Sequence, residues 1–184
     1  MISKNAQDGF DHLLKQSLKA GLLKSAEDSC DISALDDLSK IKESKIVVLT
    51  ISSYLFRLMV LIYFTPDAAA RAHFAGLNGM QTQDVDEQSF YDAVGEFGNI
   101  CCGILNRDLG QIFPHIGMST PNIIDKNCSS YLSALGCGHI RHFMVDVNHR
   151  YSFPVSLCVC DHADLDFTVE VAEEAATTGE LELF

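Results

Sequence analysis

The stretch from Ile46 to Phe64 is almost continuously apolar, and no other feature narrows the possible folds of this chain so far. Its length is close to the ~20 residues that a membrane-spanning helix needs. Arg57 stands in the middle of the run, however, and Thr50, Ser52 and Ser53 interrupt it. Ile, Val, Tyr and Phe dominate it, which are strand-forming rather than helix-forming types. The composition therefore predicts two buried strands joined near Ser52-Ser53, and no transmembrane helix.

Around this hairpin the chain reads as helix, then strands. Phe10, Leu13, Leu14, Leu18 and Leu22 recur at helical spacing and predict an amphipathic first helix. The polar, acidic stretch from Ser25 to Ser44 is expected to be a surface loop or short helix. Thr65-Pro66-Asp67 reads as a helix start, with Thr as cap and Pro in the first turn, and the helix is expected to stop at Gly76 or Gly79. Asp84 and Glu87 resemble a capping box opening a longer helix that runs to about Asn106.

Beyond Gly110 the period changes to two. Ile116–Thr120 leads into Pro121. Clear alternation follows in 139–147, in 151–159, and in Leu165, Phe167, Val169 and Val171. Pro154 predicts an edge or bulge for its strand. The order predicts an α+β sandwich: a mainly antiparallel sheet with helices packed on it. Residues 1–45 are read as an N-terminal helix and polar connector, 46–171 as the main domain, and 172–184 as an acidic, mobile tail.

A formal net charge of -12, with 13 scattered Lys and Arg residues, argues against a nucleic-acid partner. The first residues hold no long apolar stretch of the secretory kind. Seven cysteines without such a signal predict free thiols in a reducing compartment, the bacterial cytoplasm.

The long helix carries the functional signal. At about 100° per residue, Phe90, Val94, Phe97, Cys101 and Ile104 fall within a stripe of about 80° and form the expected buried face. Asp92, Glu96, Asn99 and Gly103 fall almost opposite, within about 60°. Charge on a helix exterior most often means only a solvated face. Asn, a mediocre helix former, is not asked for there by helix physics.

The segment Asp92-Ala-Val-Gly-Glu96-Phe-Gly-Asn99, followed after 21 intervening residues by Pro121, resembles the signature of the CheC/CheX/FliY chemotaxis phosphatases. That signature is Asp or Ser, three residues, Glu, two residues, Asn, 21 residues and Pro. Only one copy occurs, as in the single-site CheX-like members, which pair into dimers. The resemblance implies a CheC/CheX-like fold and loss of the phosphoryl group from the aspartyl phosphate of a CheY-like response regulator. It further implies that Glu96 and Asn99 are catalytic, Asp92 and Gly103 support docking, and Pro121 is structural. The chain would need no cofactor of its own, because Mg²⁺ and a lysine belong to the regulator. A second reading keeps the docking and removes the chemistry, leaving a non-catalytic regulator-binding or dimerisation module.

Other constellations are weaker. Cys158-Val-Cys160-Asp-His162 and Cys137-Gly-His139-Ile-Arg-His142 suggest a zinc site, but no CxxC pair is present and strand alternation explains the cysteines. Cys101 lies on the buried stripe, so a catalytic thiol is not favoured there. Asp161, Asp164 and Asp166 do not complete a calcium loop, and no phosphate-binding or dinucleotide fingerprint occurs.

Overall fold

The structure, a computed structural model, describes residues 1–80 and 86–169. Its elements are α1 (Lys4–Leu22), β1 (Cys30–Leu35), β2 (Lys45–Ser52), β3 (Phe56–Phe64), α2 (Ala68–Leu77), α3 (Glu87–Gly110), β4 (Gly117–Met118), β5 (Asn122–Asp125), a 3₁₀ segment (Lys126–Leu135), β6 (His139–Val147) and β7 (Tyr151–Asp161). The strands form one sheet in the order β1-β6-β7-β3-β2-β4, with β5 also paired to β2, and every ladder is antiparallel. This is the α+β architecture the sequence predicts.

The apolar run becomes the β2–β3 hairpin, with a turn through Ser53, whose Oγ accepts from the backbone N–H groups of Leu55 and Phe56. Its near-continuous apolarity has a simple cause: both faces of the sheet are covered. Phe56, Leu58, Val60, Ile62 and Phe64 of β3 face the core shared with all three α-helices. Leu61 and Tyr63, of opposite parity, join Ile46, Cys158, Ile41 and Leu132 beneath the 3₁₀ segment on the other face. Among the described residues, no helix is long and apolar enough to cross a membrane.

Several local expectations are overturned. The stretch from Ser25 to Ser44 contains β1, an edge strand whose alternation is masked by its solvent-facing residues. Asp67, not Thr65, caps α2 by accepting from the Ala70 N–H at 2.9 Å, so Pro66 precedes the cap. The segment at Leu165 forms only an isolated bridge with Ile2, because both edges of β7 are already occupied by β3 and β6. Phe167 instead packs on Phe10 and Phe113, at ring-centroid distances of 4.9 and 5.2 Å. Val171 and the acidic tail lie outside the described residues.

Pro154 sits in β7, an interior strand of the sheet, rather than in an edge strand. The β3–β7 ladder ends at Ile62↔Val155, so at Pro154 only β6 lies alongside and the absent N–H interrupts no ladder to β3. The expectation of free thiols is corrected at one pair. Just before β6 begins, Cys137 lies beside Cys160 of β7, and the two are joined as a disulfide. The other five cysteines are free, and only Cys128 is exposed.

Candidate functional site

α3 is built from both of its ends. Asp86 caps it, its Oδ1 accepting from the Ser89 N–H at 2.7 Å, while the expected cap Asp84 lies outside the described residues. The helix continues past Asn106 to Gly110, because Leu105 and Leu109 extend its apolar side into the core.

The buried arc is wider than a five-residue stripe, since the helix is wedged between the sheet, α1 and α2. Phe90, Ala93, Val94, Phe97, Gly98, Cys101, Cys102, Leu105 and Leu109 are buried, whereas Ile104 is only half-buried. Burial pushes the thiol of Cys101 well above its ordinary range and that of Cys102 up to about 12, which leaves both as inert core groups.

Glycines let the helix approach its neighbours. A Cβ at Gly98 would stand 2.8 Å from Leu49 Cδ1, so α3 lies directly on β2 at that point. Gly95 faces the ring of Pro121, whose Cγ would be 3.6 Å from a Cβ there. Pro121 occupies the break between β4 and β5. Residue sums across the ladder to β2 change from 169 (Ile51↔Met118) to 170 (Val48↔Asn122), the mark of one extra residue. At such a bulge a proline forfeits no ladder hydrogen bond.

With its inner face fixed in this way, α3 turns the predicted row outward. Asp92 and Glu96 are exposed, and Asn99 and Gly103 are half-buried. The Asn99 amide reaches Glu96, Nδ2 to Oε2, at 3.5 Å, and Gln88 Nε2 donates to Asp92 Oδ1 at 2.8 Å. A Cβ at Gly103 would meet nothing within 4 Å, so the end of the row is open space. Beside the row lies a groove of about 640 Å³, floored by Gly95 and Pro121. Tyr91, Asp92, Glu96 and Asn99 form one wall, and Lys45, Asn122 and Ile123 the other.

The structure therefore brings Asp92, Glu96, Asn99 and Pro121 together around one depression, with Gly103 further along the same helix. The strand wall is not readable from sequence, because it depends on the register of β2 with β5. Gln88, four residues before Asp92, could have been found from helical spacing alone.

A model of the family described as "Chemotaxis phosphatase CheX" matches residues 46–136, the stretch that holds the hairpin, the row and Pro121. Over that stretch, just under half of its length, the chain is similar to the CheX family. Solved CheX structures show the same fold as this one. The CheX of Vibrio vulnificus has a TM-score of 0.61 at 17% identity, covering 82% of this chain and 98% of that one. The CheX of Desulfovibrio desulfuricans has 0.58 at 18% identity, covering 82% and 98%. The CheX–CheY–BeF3–Mg²⁺ complex of Borrelia burgdorferi gives 0.57 at 17% identity, covering 83% and 96%. No curated protein sequence matches this chain.

Two polar networks outside the CheX-type row resemble catalytic sites and are structural. His142 Nδ1 and the Tyr63 hydroxyl meet Ser156 Oγ at 2.7 and 3.0 Å, but Ser156 is fully buried and no substrate can reach it. Asp11 holds His139 at 2.7 Å and Arg141 at 3.6 Å, tying α1 to β6. Among the described residues no group of three or more His, Cys, Asp or Glu side chains could hold a metal ion.

Proposed function

We propose that this CheX-type domain hydrolyses the aspartyl phosphate of a CheY-like response regulator, with Asn99 orienting the attacking water. The observation that carries the reading is the exposure of Glu96 beside Asn99 on one helix, above an open groove and within the family-matched stretch. The Borrelia burgdorferi relative occurs in a complex with CheY, BeF3 and Mg²⁺, a pairing of the kind proposed here.

An acyl phosphate is already activated, so its hydrolysis needs position more than a new nucleophile. On docking, Asn99 enters the regulator's active site. Its amide oxygen accepts from a water and its amide N–H can donate, which holds the water in line with the phosphorus. The water oxygen bonds to phosphorus as the bond to the aspartyl oxygen breaks. The regulator keeps its carboxylate, and the water's proton leaves with inorganic phosphate. Metal and lysine belong to the regulator's side of the interface.

Glu96 lies one turn before Asn99 and pairs with that lysine through a charge-assisted contact. Asp92, a further turn back and held by Gln88, would repel a phosphate and serves docking instead. Gly103 leaves room for the partner to approach.

The test is phosphate release from a CheY-like regulator phosphorylated with acetyl phosphate, with and without this protein. Release is expected to accelerate. Asn99→Ala is expected to lose about a hundredfold in rate while docking persists, and Glu96→Ala to weaken binding. An Asn99→Ala variant as fast as wild type refutes the mechanism. Binding without acceleration by wild type makes the domain a non-catalytic module.

A further inference from the structure

The groove beside the row is lined on opposite sides by opposite charges. Asp92 and Glu96 stand on the helix wall, and Lys45 is the only cation lining the groove among the described residues. This is an exception in a chain that carries 25 acidic residues against 13 basic ones. Lys45 opens β2, opposite Asp125 of β5 in the ladder. Its Nζ is 3.7 Å from Asp125 Oδ2, too far for a hydrogen bond, and the two side chains are 36% and 54% exposed.

Asp125 does not need this lysine. Its Oδ1 already accepts from the Asn127 N–H at 3.0 Å and caps the 3₁₀ segment. An ion pair this open contributes little to stability. Lys45 is thus a loosely held ammonium, free to leave its neighbour, on the wall that faces the carboxylates. Ile123, 38% exposed, and the half-buried Tyr91 add apolar contact on the two sides of the same groove.

We propose that Lys45 is a docking residue that pairs with a carboxylate on the rim of the phosphorylated regulator. The inference rests on the phosphatase reading and extends it, since that reading assigns contacts only to the helix wall. A groove with acid on one wall and a single cation on the other accepts a partner in one orientation. The partner must turn a basic group to α3 and an acidic group to β2. Reversing it would set like charges against each other, which is how electrostatic complementarity fixes register and speeds encounter. Because Lys45 lies across the groove from Glu96 and Asn99, the groups proposed to act in the regulator's active site, it acts on association and not on the chemical step.

The experiment measures KM and kcat for phosphate release from a CheY-like regulator kept phosphorylated by acetyl phosphate, at low and high salt. Lys45→Glu is expected to raise KM about tenfold at low salt, Lys45→Gln about threefold, and both to leave kcat within about twofold. The effect should shrink as salt screens the pair. Asp125→Asn, which removes the intramolecular neighbour and keeps the ammonium, is expected to leave KM within about twofold. Thermal melts of each variant establish that it is folded, and Lys45→Gln serves if Lys45→Glu is not.

An unchanged KM in the folded charge variants overturns the proposal. So does a loss confined to kcat, or an Asp125→Asn defect equal to that of Lys45→Glu, which would trace the effect to the internal pair. Wild-type protein that leaves phosphate release at the regulator's own rate overturns the phosphatase reading and this inference with it. Wild-type acceleration with charge-insensitive KM overturns this inference alone.

Discussion

Protonation of His73 should cost this fold stability in mild acid. The ring belongs to α2 and stacks on Tyr151 at a centroid distance of 4.6 Å, with Phe74 at 5.1 Å and Phe153 at 6.2 Å. Its Nε2 is inaccessible and has no hydrogen-bond partner among the described residues. Burial alone lowers its pKa from 6.5 to about 4. Lys24, Asp28, Arg150 and Tyr151 line the same cleft, and none of them offsets the burial.

The folded-state pKa lies below the unfolded one, so between the two values the unfolded chain binds more protons. Stability is complete above the unfolded value and falls as the pH drops toward the folded one. Linkage sets a ceiling of ~2 kcal/mol lost between about pH 7 and about pH 5. The ring is only part-buried, and solvent screening reduces the expected loss to ~1 kcal/mol.

Urea unfolding at the two pH values, on wild type and on His73→Phe, isolates this contribution. Phe keeps the stacking on Tyr151 and does not titrate. Asp28, Asp86, Asp146 and Asp161 have pKa values held below the ordinary 3.8, so the stability they contribute is lost only at lower pH than this window. His142, whose pKa is also lowered by burial, acts equally in both proteins. Wild type should therefore lose ~1 kcal/mol more than the variant between the two conditions. Identical losses would refute the assignment.

Gly98→Val, which drives a branched side chain against Leu49, should cost about 2–3 kcal/mol in a denaturant melt through overpacking. The proposed phosphatase activity should fall with the folded fraction. A thiol reagent applied to native protein should label Cys128 quickly and the buried thiols slowly, and Cys128→Ser should remove the fast phase.

The sequence foretold the hairpin and the long helix because each imposes an unmistakable period or a break in one. Ser52-Ser53 and Arg57 were enough to split the apolar run, and α3 declared its outward row. β1 was hidden because an edge strand with one solvated side resembles an acidic loop at residue level. The alternation of Leu165, Phe167 and Val169 was real but misleading, since it marks aromatic packing where β7 has no free edge. At the site, the row was legible and its setting was not. Gly95 and Gly98, residue types that cost stability inside a helix, are where a proline ring and a leucine come close. Lys45 reaches the groove only through strand register, which no local pattern reveals.

The bulge at Pro121 gives the 21-residue interval after Asn99 a mechanical meaning. Eleven residues carry the helix from Asn99 to its end at Gly110, about 16 Å away. Six more turn the chain around, and the extended stretch from Gly117 to Pro121 travels back about as far. The interval is thus a contour length, set by the requirement that an outward and a homeward path meet beside the row, where the ring of Pro121 reaches Gly95. A residue added within the homeward path would leave Glu96 and Asn99 in place and still deliver the wrong side chain to the meeting point.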